Sequence, residues 1–588
     1  MHTMRCLRNW GLSALVLCLS VLSVCQAKAN TYKDGQKVDI YVNTAGPYYN
    51  PSETYPYYRL PVCRPEQIKM ATSMGGKLDG DRLAESLYNL EFKKNVDKEV
   101  LCPLKLKPND VDDLVKAVEE LYYFEFIIDG LSVSHFVGYH KGDAYPHNHE
   151  IWFWTNHHFF LYYNGNQVVT ANVTVDRPVQ LPEGADNTFD LQPIEFTYSV
   201  TWLETDVQYS DRAKLNVGSL QVHWLSIINS FVLVILMVGF VAIILMRVLR
   251  SDFHRYSRDQ EDLEDLQDDY GWKLISGDVF RFPVFRDVLC AVLGTGVQFL
   301  SIATTLIALA LSGIFNTHQH GYVNTVAVFM YAFTSGIAGF VSAKWYKQLG
   351  GERWIRSILF TTILFVGPLF LMWCVLNSIA WHYNSTQALP VATVFVLIFL
   401  WLLVGLPLTV VGGVVGKNSA TTFDAPCRTK VIPREIPAYP WYRSRGVHLL
   451  IGGFLPFSAI SVELYYIFLT LWGRHLYTLY GILSAVFFIL LVVTACVSVT
   501  LTYFQLSMED YRWWWPSIFN VGFTGVYVFL YAIFYYTYRS HMSGPLQTAS
   551  FFGYTALMCY IITMMLGTVG FFSSVRFVRY IYATVKVD

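Results

Sequence analysis

Residues 388–415 read ALPVATVFVLIFLWLLVGLPLTVVGGVV and carry no charged side chain from end to end. A helix of that length outspans the ~30 Å hydrocarbon core of a bilayer. Lipid offers backbone N–H and C=O groups no partner, so a segment of this kind crosses as a helix. Working outward, similar apolar stretches occupy about 222–246, 286–313, 320–343, 355–378, 447–471, 476–503, 514–538 and 548–573. With 388–415 they predict a polytopic α-helical membrane protein of about nine transmembrane helices. Composition agrees: over 588 residues, 53% are hydrophobic, 16% aromatic and only 15% charged, against roughly 25% charged in soluble proteins. A net charge of −1 argues against nucleic acid as a partner and leaves membrane lipids as the first partners implied.

The segments before the spans differ in character. Arg5 and Arg8, the apolar run Leu12 to Val24 and the Ala27-Lys28-Ala29 site read as a signal peptide over 1–29, against the alternative of an uncleaved anchor. Residues 30–221 read as a lumenal, β-rich domain, sandwich-like in architecture. Its candidate strands are Tyr122–Ile128, Phe159–Tyr163, Gln167–Val175 and Phe196–Leu203, where aromatic and β-branched residues alternate. Asn164-Gly165-Asn166 supplies a hairpin turn, and Asp110–Glu120 a short helix. Cys63 and Cys102 are the cysteines of this region, and a disulfide between them is expected in an oxidising lumen, two free thiols being the alternative.

The remaining domain plan follows the spans: a first transmembrane helix at 222–246, a cytosolic linker at 247–285, an eight-helix transmembrane block at 286–575 and a cytosolic tail at 576–588. Loop charge sets the orientation. Arginines and lysines crowd the 247–286, 344–356 and 417–445 loops and the tail, whereas the opposing short loops hold only Arg474 and Arg539. That asymmetry predicts a lumenal amino-terminal domain and a cytosolic carboxyl terminus. Sequons at Asn172 and Asn384 fit the same map as candidate glycosylation sites. The linker's acidic run, Asp259 to Asp269, reads as a solvated face or as a sorting signal. Prolines 426, 433, 437 and 440 predict an extended third cytosolic loop.

Several motifs, taken in order, resemble the nonaspanins, the transmembrane-nine superfamily. They are Gly46-Pro47-Tyr48, Asn50-Pro51 and Glu53-Thr54-Tyr55, then Leu78-Asp79-Gly80-Asp81-Arg82. Gly271-Trp272-Lys273, Gly277-Asp278-Val279-Phe280-Arg281 and Ile432-Pro433-Arg434-Glu435-Ile436-Pro437 follow. Last come Gly452-Gly453-Phe454-Leu455-Pro456-Phe457 and Glu509-Asp510-Tyr511-Arg512-Trp513-Trp514-Trp515. The resemblance covers nearly the whole mature chain. It implies a protein of Golgi and endosomal membranes that helps sort, localise or surface-deliver client membrane proteins with glycine-rich transmembrane helices. It also implies that Lys586-Val587-Asp588 is a terminal sorting signal read by the coatomer coat, with Lys586 and Asp588 as its charged groups.

The residues themselves offer two further candidate sites. Glu463 falls inside a span, where a carboxylate is costly and needs a partner or a cavity. It reads either as a site of client recognition or proton coupling, or as a carboxyl that holds helices together. Glu509, Asp510 and Arg512 precede three tryptophans at a span's cytosolic edge and read as a gate or lipid-headgroup site, or as an interfacial belt with an internal ion pair. Six histidines from His135 to His158 read as solvent-facing or lightly packed loop residues, with metal binding at His147-x-His149 and pH sensing as the sharper alternatives. Gly412-x-x-x-Gly416, with Gly405 and Gly413, predicts close helix packing. No phosphate loop, nucleophilic triad, paired carboxylates or Cys/His metal spacing stands out, so no enzyme, cofactor or metal is expected. The rival functional class is a solute or ion transporter using Glu463 at mid-membrane.

Overall fold

The computed structural model describes residues 30–142, 150–182, 193–209, 271–313, 321–438, 440–473 and 480–583, with a scatter of positions between 212 and 250. The signal peptide, most of the first span and of the linker, His147, His149 and the terminal Lys586 and Asp588 lie outside the described residues.

Alternating apolar residues build two five-stranded sheets in the amino-terminal domain. One has the order β11 (Gln167–Leu181), β10 (Glu150–Asn164), β12 (Ile194–Glu204) and β6 (Val96–Leu104), with β9 (Gly138–Lys141) also pairing β10. The other has the order β3 (Tyr55–Pro56), β2 (Ile40–Pro47), β7 (Tyr122–Ile128) and β8 (Leu131–Phe136), with β4 (Ala84–Glu85) on β2. β1 (Lys37–Val38) and β5 (Leu90–Glu91) form a small separate ribbon. Ile40 and Phe126 from one sheet share a single buried core with Phe159, Val173 and Tyr198 from the other, which makes the domain a sandwich. Gly165, at φ +58°, leads the two-residue turn between β10 and β11. Helix α2 (Pro108–Glu119), opened by Pro108 and capped by Asp110, adds Val111, Leu114 and Val118 to the core. A short α1 (Met74–Asp79) precedes it in the chain. Cys63 and Cys102 form the expected disulfide.

Among the described residues, eight helices long and apolar enough to cross a membrane follow: α3 (Arg286–Leu311), α4 (Tyr322–Gln348), α5 (Trp354–His382), α6 (Val391–Asn418), α7 (Arg445–Leu471), α8 (Tyr480–Ser507), α9 (Trp514–Tyr538) and α10 (Pro545–Ala583). Among the scattered positions of the first span, Val238 packs partly buried beside Ala459, Val493 and Val497. α10 is 39 residues long and continues through residues read from sequence as tail. The glycines predicted to pack closely do so. A Cβ at Gly412 would collide with the Gly336 carbonyl, one at Gly416 with the Phe340 carbonyl, and one at Gly339 with the Thr409 carbonyl, so α4 and α6 meet backbone to backbone.

His157 departs from the expectation for the histidine cluster. It sits on β10 in the sandwich core, its Nδ1 3.1 Å from the Tyr88 hydroxyl and its ring against Phe124. Burial, with a smaller contribution from His135, lowers its pKa to about 4. Unfolded chain takes up this proton near pH 6.5 and folded chain only near 4, so stability falls as pH drops through that window. At pH 5 the expected loss is about 2 kcal/mol. Amide hydrogen exchange in β7 and β10 of the full chain, corrected for intrinsic rate, should therefore quicken from pH 7 to pH 5. Replacing His157 by Gln should flatten that response; an equal response in the variant would assign it to another group.

Candidate functional site

The amino-terminal domain is fastened to one face of the bundle at three loops. Thr54 is the centre: its carbonyl accepts from the Thr386 N–H (2.9 Å) and the Ser385 hydroxyl (2.9 Å), and its hydroxyl meets that of Thr386 (2.6 Å). Arg82 donates to the Ala388 carbonyl (2.6 Å). Asp79 accepts from the Gly321 N–H (3.0 Å) and the Asn324 amide (2.8 Å) at the start of α4, where its charge favours the helix dipole. Gly75 and Gly321 touch through their backbones, and any Cβ would separate them. At the third loop, Ser543 N–H donates to Asn50 (2.9 Å), and Ser52 N–H donates to the fully buried Gln547 (2.8 Å). The ends of α4, α5, α6, α9 and α10 on this face are thus tied to one rigid domain.

A second collar closes the opposite face. Tyr582 on α10 donates to the Trp272 carbonyl (2.6 Å), and Trp513 on α9 to the Val279 carbonyl (2.8 Å). Lys430 N–H donates to the Gly277 carbonyl (2.8 Å), and Arg281 to both Asp278 (2.6 Å) and the Lys430 carbonyl (2.8 Å). The predicted Glu509, Asp510 and Arg512 lie here. Glu509 takes the left-handed conformation (φ 62°) that ends α8 and pairs with Arg434 at 3.0 Å. Asp510 is buried and accepts from Arg512 (Nε 3.0 Å, backbone N–H 3.0 Å) and Arg445 (3.0 Å). Burial pushes its pKa up, but the hydrogen bonds from Arg512 and Arg445 outweigh that and hold the carboxyl below its usual range. The group is an internal staple joining the α8–α9 turn to the start of α7.

Glu463 is buried, 7% exposed, on α7. With Gly452, Pro456 and Ala459 it forms one helical ridge. Gly452 touches the Asn520 backbone and Leu501, and Ala459 packs with Val493 and Val521, so the ridge faces α8 and α9. α6 is arranged differently. Its second half is clamped to α4 by the glycine contacts and by the Ser335 hydroxyl on the Gly405 carbonyl (2.9 Å). A π-type turn at Trp401–Gly405 precedes Pro407, and before it residues 391–400 bury only Thr393. Val391, Phe395, Val396 and Phe399 are exposed. The two halves of one helix therefore differ: one is locked, the other opens sideways. Among the described residues no group of three or more His, Cys, Asp or Glu is arranged to hold a metal ion.

The family model for endomembrane protein 70 matches residues 54–545. The chain is 55% identical over 576 residues to transmembrane 9 superfamily member 1 of Bos taurus, covering 95% of this chain and 94% of the relative. The chain belongs to the nonaspanin, or transmembrane 9, family. Transmembrane 9 superfamily member 1 of Mus musculus is 53% identical over 99% of both chains, and member 2 of Arabidopsis thaliana 45% identical over 96% of both. No solved structure matches this nonaspanin. The structure gathers the family motifs at the two collars: Asn50, Thr54, Asp79 and Arg82 on the domain face, Trp272, Asp278, Arg434, Asp510 and Trp513 on the other. Sequence reading missed the domain-face seam, although its partners on the domain side stood within the motifs that carried the resemblance. The free half of α6 was hidden because both halves are equally apolar.

Two predictions follow from this geometry. Asp510→Asn should lower the detergent-solubilised nonaspanin's stability by about 1–3 kcal/mol, the worth of hydrogen bonds to a charged group; an unchanged melting temperature would leave the staple without energetic content. Among the sequons, Asn172 is exposed on β11; Asn384 is exposed too, but it stands two residues past α5 beside the seam, where its Thr386 is buried under Thr54. Glycosidase treatment should remove one glycan, lost in Asn172→Gln and kept in Asn384→Gln. A second glycan, at Asn384, would mean the seam closes only after modification.

Proposed function

We propose that this nonaspanin works in Golgi and endosomal membranes and assists the sorting, localisation or surface delivery of other membrane proteins, receiving their glycine-rich transmembrane helices laterally from the bilayer. The observation that carries the reading is the free half of α6. Residues 391–400 turn apolar side chains outward along a helix whose continuation is held by glycine contacts to α4. A client helix entering beside it competes only with lipid, and helices with small residues approach closely enough to gain packing there. The amino-terminal domain faces the lumen in this reading. Support comes from the basic residues of the 344–356 and 417–445 loops, which lie on the face opposite the domain. The coatomer coat reads Lys586 and Asp588 from the cytosol and returns the protein to the Golgi.

The test is delivery of a reporter whose single span is glycine-rich, in cells with and without the protein. Reporter retained inside deleted cells, restored by the wild type, and crosslinked from a photoreactive residue at Phe399 or Leu403 is the expected result. Unchanged reporter location would sink the proposal. The Glu463→Gln variant separates it from the transporter reading: delivery should survive this substitution, whereas flux through Glu463 would not.

A further inference from the structure

Among the described residues the loop between α6 and α7 has no helix or strand from residue 420 to the turn at Trp441–Arg443. Pro440 has φ −62° and ψ 153°, the polyproline II conformation. That conformation repeats every three residues, the spacing at which Arg434, Pro437 and Pro440 stand, with Glu435 and Ala438 among them. All five are exposed, while Ile436 is half-buried. The segment is fixed in place rather than trailing. Lys430 N–H is held by the Gly277 carbonyl (2.8 Å), Arg434 N–H lies 3.3 Å from Asp278, and the turn at Trp441–Arg443 leads directly into α7. Upstream, Val431 is 93% and Ile432 80% exposed, although anchors flank them on both sides. Between 428 and 445 stand five cations and one acid, Glu435; Arg434 and Arg445 are paired with Glu509 and Asp510, and Arg428, Lys430 and Arg443 add to the positive charge around them.

From this we infer a docking site: the loop is a ligand for a cytosolic proline-reading module of the SH3 type, with Pro437 and Pro440 in its aromatic-lined grooves and Arg434 against an acidic rim. Three features fit that partner. Pro433, Pro437 and Pro440 restrict the segment toward polyproline II, which lowers the ordering cost of binding. Arg434, Pro437 and Pro440 are exposed, and the charge of Arg428, Lys430 and Arg443 beside them is complementary to an acidic surface. Arg434 is held at 3.0 Å by Glu509, so the module must take the guanidinium from that carboxylate. Glu509 thereby sets the affinity. The inference rests on the orientation in which this face is cytosolic.

The experiment uses the full chain in lipid nanodiscs and a panel of purified SH3 domains as probes. At least one domain should bind in the micromolar range, be displaced by a soluble proline-rich ligand, and bind at least tenfold more weakly to Pro437→Ala and to Pro440→Ala. Glu509→Gln should bind several-fold more tightly, because the competing carboxylate is gone; weaker or equal binding would remove Arg434 from the site. A panel in which no domain prefers wild type over both proline variants overturns the proposal. So does binding that is present in detergent and absent in nanodiscs, which would place the loop on lipid. Orientation is read separately: Val431→Cys in sealed microsomes should react with an impermeant maleimide without detergent. Labelling only after detergent would reverse the topology while leaving the nanodisc result to stand on its own.

Discussion

A backbone carbonyl inside a bilayer has no water to accept from, and at two breaks in the helices of this bundle a side-chain hydroxyl meets that need. Pro368 interrupts α5 and frees the Leu364 carbonyl; the Tyr560 hydroxyl of α10 donates to it at 2.8 Å. α9 breaks between Gly522 and Thr524. There the Thr563 hydroxyl serves the Gly522 carbonyl (3.0 Å), and the Thr524 hydroxyl the Val521 carbonyl (2.7 Å). Each satisfied break also positions a contact between helices. Gly453 packs against Phe523 at the α9 break, and Gly525 against the Cys559 backbone, so the kinked helix is wedged between α7 and α10.

The same economy of small groups explains why the bundle core is laced with hydroxyls rather than charges. Ser342, Ser357 and Thr361 join α4 to α5, and Ser498, Thr502 and Ser574 join α8 to α10. Each hydroxyl costs little to bury once bonded, whereas an unpaired carboxylate costs far more. In the second collar Asp510 pairs with Arg445 and Arg512, and Asp278 with Arg281. Fastening both faces leaves the bundle's sides outside the two seams.

How much of this was legible in the sequence follows from which physical signals are local. Span positions were readable because an apolar run such as 388–415 has one stable fate in lipid. Strand Tyr122–Ile128 and the Gln167–Val175 part of β11 were readable from alternation, and the Gly412 seam from glycine spacing. Ile40–Pro47 carries Asn43, Thr44 and Gly46 among its apolar residues, and Val96–Leu104 is largely exposed, so neither shows a clean period. His157 looked like its neighbours because burial is decided by the parity of β10: Phe153, Phe159 and Leu161 share the inward face with it, and no residue near it in sequence marks that face. The collars were illegible for a different reason. Thr54 meets Thr386, and Trp272 meets Tyr582, across more than three hundred residues.

Glu463 and the first half of α6 stand in contrast for the client recognition proposed above. Glu463 drew attention because a buried carboxylate is expensive, yet its ridge faces α8 and α9, beside Val493 and Val521, with Val238 of the first span against the same cluster. A client helix reaches a residue buried there only if those neighbours separate. Residues 391–400 bear no charge and lie open to the membrane from the start. Their π-type turn and Pro407 separate them from the clamped half, while just before them Ala388 is held by Arg82 of the domain. The client recognition proposed above uses that arrangement, a helix segment fixed at both ends whose side is not covered by the bundle.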